Sequence, residues 1–139
     1  MRLIRLSKLV MVAGLARGLA RTCYEAALRE EPFPAVRPEL LRSAHWRAAR
    51  HGLDADLIDT GAERSVPAHA LIDKLLAHVR PALEEMGDWD EVSTLVRETL
   101  QRGTGAKRQR EAYARAGRIE DVVDLIVAET AQGIDPAGG

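Results

Sequence analysis

The 139-residue sequence contains one cysteine, five aromatic residues and four histidines. A single cysteine forms no internal disulfide and no C-x-x-C zinc or redox site, so we expect a cytoplasmic protein. His45 and His51 are six residues apart, and His69 and His78 are nine apart, which is not metal-ligand spacing. The sequence also lacks the P-loop, G-x-S-x-G and H-E-x-x-H motifs. It therefore predicts no metal site and no self-contained hydrolase or nucleotide-binding fold.

Long hydrophobic runs are absent as well. The apolar stretch at residues 9–16 is followed by Arg17 and Arg21, well short of the roughly 20 apolar residues that a membrane span needs. The basic segment before Glu25 is also typical of a targeting peptide, which remains an alternative for residues 1–24. The isoelectric point of about 6.4 and the few aromatics argue against nucleic-acid binding. We expect neither a membrane nor a nucleic acid as partner.

Charge is unevenly distributed along the chain, although the net charge is only −1. Residues 1–50 carry ten Lys and Arg against four Asp and Glu, whereas residues 51–139 carry ten against seventeen. The length suits one domain with its own core. Apolar periodicity predicts a mainly α fold of about six helices with at most one short β-hairpin.

The first predicted helix covers residues 1–31 and places small and apolar side chains at three- and four-residue intervals. Gly14 and Gly18 each destabilise a helix interior by about 1 kcal/mol relative to alanine, which indicates tight packing against a neighbour. Cys23 is expected to be a packed, inert thiol on the apolar side of this helix. The apolar positions are Leu6, Leu9, Val10, Ala13, Ala16, Leu19, Ala20, Cys23 and Ala27.

Prolines at 32, 34 and 38 end this helix, and residues 38–131 form a second helical region, followed by a disordered tail at 132–139. Within that region Pro38 and Gly52 bound one helix, residues 53–67 form a hairpin or an extended loop, and Pro67 opens the next helix. Asp88 is predicted to cap a helix through a capping box with Glu91, and Thr104 to cap another. The last helix carries an apolar stripe formed by Ile119, Val122, Val123, Ile126 and Val127.

Two groups of basic residues are candidate anion-binding sites. Arg47 and Arg50 lie close to Trp46 near a helix end, and the planar guanidinium suits bidentate binding of phosphate or carboxylate. Lys107, Arg108 and Arg110 follow a glycine-rich helix start, where free amides attract anions. The alternative in both cases is a solvated basic helix face, with Arg47 and Arg50 pairing with Asp54, Asp56 or Asp59.

Several short motifs in fixed order resemble the C-terminal third of the carboxylate-amine ligases of the glutamate–cysteine ligase type 2 family. They are W-R-A-A-R-H-G-L at residues 46–53, V-P-A at 66–68, V-R-P-A at 79–82, R-G-T-G-A at 102–106, Q-R at 109–110 and V-V-D-L-I-V at 122–127. The similarity runs from about Leu9 to Thr130. Their order and separation, more than any one motif, carry the resemblance.

The resemblance implies the C-terminal part of a glutamine-synthetase-like α+β fold and an ATP- and magnesium-dependent reaction. Such ligases phosphorylate a carboxylate, such as that of glutamate, and an amine, such as that of cysteine, attacks the acyl phosphate. The metal-binding carboxylates of the family lie upstream of the matched region. We therefore expect a fragment or split subunit that is inactive alone, with Arg47 and Arg50 as phosphate or carboxylate contacts and Lys107, Arg108 and Arg110 as second choices. The catalytic residues stay unknown.

Two kinds of protein partner follow from that expectation: a complementary N-terminal fragment or a second copy of the chain. A first helix without its sheet would expose Leu9, Val10, Ala13 and Leu19, which favours self-association. The competing hypothesis is a helical binding module without catalysis that holds an acidic or phosphorylated partner on its arginine-rich faces.

Overall fold

The computed structural model describes residues 4–131, except for the side chains of residues 4–6 and 116. It confirms a mainly α fold with one two-stranded hairpin. Residues 132–139, predicted as a disordered tail, lie outside the described range. In chain order the elements are α1 (Ile4–Leu28), α2 (Pro38–His51), β1 (Asp56–Asp59), β2 (Arg64–Pro67), α3 (Ala68–Glu85), α4 (Trp89–Arg102), α5 (Gly105–Ala116) and α6 (Ile119–Ala131).

The hydrophobic core lies between α1, α3 and α4. Its largest fully buried side chains are Leu83 and Val79 of α3 and Val92 of α4. The glycines of α1 explain how closely that helix packs against α3 and α4. A Cβ at Gly14 would overlap the Cγ2 methyl of Val92, and one at Gly18 would lie 3.0 Å from Leu83 Cγ. The tight packing predicted for these two glycines is therefore confirmed.

The buried side of α1 differs from the predicted one. Met11, Leu15 and Leu19 pack on the core, whereas most of the predicted apolar positions face outward. Cys23 is exposed, so its prediction as a packed thiol is wrong. The cause is the glycine pair: because Gly14 and Gly18 allow α3 and α4 to approach on their own side, the alanine-rich side is left uncovered.

Of the two structures predicted for residues 53–67, a hairpin or an extended loop, the chain forms the hairpin. Its strands pair antiparallel, with Leu57 opposite Val66. The turn is organised by Asp59, whose Oδ1 accepts the backbone amides of Gly61 and Ala62 at 3.0 and 3.2 Å. Lys74 of α3 donates to the other carboxylate oxygen at 2.7 Å. These contacts hold the pKa of Asp59 below its usual value, with the Lys74 hydrogen bond as the largest cause.

Two predicted helix starts differ in detail from the structure. Asp88 makes no side-chain capping bond, because its carboxylate instead accepts from Arg17 Nη1 at 2.9 Å. Pro67 ends β2, and α3 begins one residue later. The predicted Thr104 cap is confirmed, since its hydroxyl accepts from the Lys107 amide at 3.2 Å. Among residues 4–131, no helix has the length and hydropathy to cross a bilayer.

Candidate functional site

The α2 helix lies at the surface and buries none of its residues. It begins with Pro38 in its first turn and ends at Gly52, whose φ of +58° suits glycine. Arg47 ties the helix to the hairpin, because its Nε donates to the backbone carbonyl of Asp56 at 2.6 Å. This contact holds α2 against the hairpin and gives Arg47 a partner within the chain.

Arg50 and Trp46 form the part of α2 best suited to bind an anion. The Arg50 guanidinium carbon lies 5.8 Å from the centroid of the Trp46 ring, a cation–π distance. Trp46 is 64% exposed, and the edge of His51 meets it at 6.2 Å. Within the described part of the chain no carboxylate lies at ion-pair distance from Arg50. Its guanidinium is held by an aromatic face and keeps its donors available.

A shallow hollow of about 410 Å³ lies beside Trp46 and Arg47, and Arg50 is not among the residues that line it. The space is open, so a ligand bound by these residues alone would remain largely solvated. A further surface would have to close over the hollow to exclude water. Its lining comes from α2 and from β1 and consists of Arg42, Ser43, Trp46, Arg47 and Ile58.

The second basic group is largely engaged in contacts within the chain. Arg108 forms a two-pronged ion pair with Glu129 of α6, at 2.7 Å from Nε and 3.1 Å from Nη2, and its Nη1 donates to the Gly103 carbonyl at 2.8 Å. The Arg108 hydrogen bond is the largest cause that lowers the pKa of Glu129. Arg108 therefore holds α6 against the start of α5, and its role as an anion contact stays a prediction.

Asp54 joins the two basic regions that the sequence presented separately. Its carboxylate lies 3.3 Å from Lys107 Nζ and 3.2 Å from Arg110 Nη2. The sequence suggests Asp54 only as a partner for the nearer Arg47 and Arg50, because nothing in local spacing links it to α5. Lys107 and Arg110 are thus paired with Asp54. Arg50 is the best placed of the five candidate residues to bind an anion.

The residues that the structure describes do not fit a magnesium site. No three His, Cys, Asp or Glu side chains in that range come close enough to bind one ion. The acidic residues near the basic surfaces pair with cations of the chain itself. Magnesium therefore enters no step that we assign to the described residues.

Comparisons with known proteins agree with the motif order. A model of glutamate-cysteine ligase family 2 matches residues 2–125. A Frankia alni protein, provisionally named glutamate–cysteine ligase 2-2, is 50% identical over 127 residues, which are 91% of this chain and 33% of that protein. A similarly named protein of Frankia casuarinae is 43% identical over 93% of this chain and 15% of its own length.

A Rhodococcus jostii relative, provisionally named glutamate–cysteine ligase 2-3, is 43% identical over 91% of this chain and 16% of its own length. No solved structure matches the chain. The chain spans a third or less of the length of these curated relatives. The match of the family model over residues 2–125 establishes that this chain belongs to glutamate-cysteine ligase family 2.

Proposed function

We propose that the chain is the C-terminal part of an ATP-dependent carboxylate-amine ligase with a glutamine-synthetase-like fold. The complete enzyme joins a carboxylate such as that of glutamate to an amine such as that of cysteine through an acyl phosphate. One observation carries the proposal: nine tenths of this chain match one third of a relative named as a glutamate–cysteine ligase. The remaining two thirds of such an enzyme supply the magnesium ligands and most of the ATP site.

Arg50 is the proposed contribution of this chain to the anionic site. A guanidinium held against Trp46 and without a carboxylate partner in the described range can donate two parallel hydrogen bonds to a phosphate or carboxylate. Arg47 has the same side chain, but its Nε is already bound to Asp56. Arg47 therefore orients the surface, and Arg50 contacts the anion.

Reconstitution tests this proposal. The chain replaces the matching third of the Frankia alni relative, or is mixed with the other two thirds, and phosphate release is measured with ATP, magnesium, glutamate and cysteine. We expect release that requires all four, and a loss of about a hundredfold in Arg50→Ala, as for removal of one donor to a developing anion. Arg97→Ala, an exposed arginine on α4, is the matched control and should retain the rate.

Two outcomes would contradict the proposal. The first is an intact relative that releases phosphate while the reconstituted enzyme, although assembled, does not. The second is equal loss in Arg50→Ala and Arg97→Ala, which would remove Arg50 from the site. Because Arg50 is exposed, its replacement should change folding stability by less than about 0.5 kcal/mol, so lost activity cannot be attributed to unfolding.

A non-catalytic binding module is the second candidate, favoured by the exposed basic face of α2 with Trp46 at its centre. Such a module would bind an acidic peptide with an affinity that falls as salt rises. Arg50→Ala would weaken that affinity without any dependence on ATP. Titration of a fluorescent acidic peptide at 50 and 300 mM salt, two conditions about a factor of 2.4 apart in screening length, separates this function from a ligase role.

A further inference from the structure

The two C-terminal helices, α5 and α6, form a unit that we call the arm. They approach each other closely along their length, and neither lies along α1, α3 or α4 in that way. The Arg108–Glu129 ion pair joins them, and Ala112 and Val122 are buried. In the described part of the chain, the core around Val79 takes no apolar side chain from either helix. The arm therefore has contacts of its own and does not share the main core.

A short glycine-containing link connects the arm to α4. It consists of Gly103 and Thr104, and Gly103 has a φ of +74°, which glycine adopts without strain. A cavity of about 20 Å³ lies beside the link, between α1, α4 and the start of α5, so this junction is not completely filled. Rotation of a rigid unit needs only a few torsions to change at such a place. The link is thus suited to act as a hinge.

Asp54 holds the arm against the rest of the chain. This residue lies between α2 and β1, and its Oδ1 is 3.3 Å from Lys107 Nζ while its Oδ2 is 3.2 Å from Arg110 Nη2. Lys107 and Arg110 are three residues apart, so they lie side by side on α5 and one carboxylate reaches both. The three side chains are 41%, 46% and 64% exposed, in the order Asp54, Lys107 and Arg110. Dissolved ions can therefore reach this contact and compete for the two cations.

We propose that Asp54 is the latch of a hinged arm, and that a phosphate group bound by Lys107 and Arg110 opens it. The latch itself shows what these two cations bind, because each carboxylate oxygen already meets one of them. A phosphate has more oxygens and more negative charge than a carboxylate, and the Arg110 guanidinium can donate to two of those oxygens at once. A phosphate in that place leaves Asp54 without its partners, and the arm loses this docking contact.

A second attraction limits how far the arm opens. The pKa of Glu129 in α6 is lowered mostly by the Arg108 hydrogen bond and to a lesser extent by the charges of Lys8 and Arg102, which belong to α1 and α4. These two charges still attract Glu129 when Asp54 has lost its partners. Because exposed ion pairs each contribute little, loss of the latch should raise the open fraction by about two- to fivefold and leave some molecules docked.

Pulsed electron paramagnetic resonance measures the position of the arm in the full chain. One spin label is attached to Cys23, which is exposed in α1, and the other to Ala128→Cys, at an exposed position of α6. We expect one main distance in the chain with Asp54 and a second, broader population that grows about two- to fivefold in Asp54→Asn. Asp56→Asn, which changes an exposed carboxylate two residues away, is the matched control. The distance between labels on Cys23 and Ala77→Cys, in α1 and α3, should not change in either variant.

The role of phosphate is measured by adding inorganic phosphate at constant ionic strength, in place of sodium chloride. Phosphate should enlarge the second population in the chain with Asp54 and have little further effect in Asp54→Asn, whose latch is already lost. The double variant Lys107→Ala/Arg110→Ala should open the arm as Asp54→Asn does, and combining all three changes should add little, since the residues form one contact. Circular dichroism should show the same helix content in every variant, because the replaced side chains are exposed.

Three results would contradict the proposal. An open population in Asp54→Asn no larger than that in Asp56→Asn removes Asp54 as the latch. Equal populations in phosphate and in chloride remove phosphate as the ligand that opens the arm. The same response to phosphate in Asp54→Asn as in the chain with Asp54 shows that phosphate acts elsewhere and also refutes the mechanism.

Discussion

Replacing Gly14 by alanine tests how α1 is held against the core. The added methyl would overlap the Cγ2 of Val92, which is only 2% exposed and packed between helices. At Gly18 the same change meets Leu83 at 3.0 and 3.1 Å and Val79 at 3.3 Å. Those contacts can be relieved by shifts of a few tenths of an ångström. The two glycines therefore separate severe from moderate crowding within one helix.

Two opposing effects set the size of the change. Alanine favours the helix over glycine by about 1 kcal/mol. Overpacking of a filled core destabilises by about 1–3 kcal/mol. We expect Gly14→Ala to lower the free energy of unfolding by up to about 2 kcal/mol and Gly18→Ala to leave it nearly unchanged. Ala77→Gly, at an exposed position of α3, measures the helix-propensity effect alone and should cost about 1 kcal/mol.

Urea denaturation followed by circular dichroism measures these differences, at one low protein concentration so that self-association does not contribute. A double-mutant cycle with Val92→Ala isolates the contact. Val92→Ala alone removes two buried methyls and should cost about 2 kcal/mol. In the Gly14→Ala background it should cost at least about 1 kcal/mol less, because the new methyl occupies the vacated space. A stabilising Gly14→Ala with additive effects would refute the close packing of α1.

Two further predictions concern ion pairs. Asp59→Asn should lower the urea midpoint at neutral pH, because the carboxylate binds Lys74 and two turn amides. Since the pKa of Asp59 is depressed, its contribution to stability is present above the usual value of 3.8 and is lost as pH falls through the lower folded value. The urea midpoints of the unmodified chain and Asp59→Asn should therefore converge in acid. Asp73→Asn, the control at an exposed carboxylate, should show no such pH-dependent difference. Arg108→Lys keeps the charge but loses the fork on Glu129 and should cost about 1 kcal/mol. Faster amide exchange in α6 would reveal this destabilisation. Arg110→Lys, which changes one exposed contact, should lower the free energy of unfolding by less than about 0.5 kcal/mol.

The candidate site was only partly predictable from the sequence. Arg50 could be found because an aromatic and two arginines share one helical turn near a glycine, a local pattern. Arg47 binds the hairpin through Asp56, nine residues further along the chain. Lys107 and Arg110 share Asp54 across more than fifty residues, which depends on how α5 folds against the start of the hairpin. Local spacing in the sequence does not show which basic side chains pair within the chain and which keep their donors available. Only the folded structure separates these two groups.

The sequence by itself determined the helices, their glycine and proline boundaries, and membership in a ligase family, because turn chemistry, apolar period and motif order are local properties. Which side of α1 is buried was decided by tertiary structure. Periodicity ranked the alanine-rich side as the apolar one, yet helices pack where backbones can approach, and Gly14 and Gly18 permit that approach to Val92 and Leu83. The core therefore formed on the glycine side, and the side with more apolar residues was left at the surface.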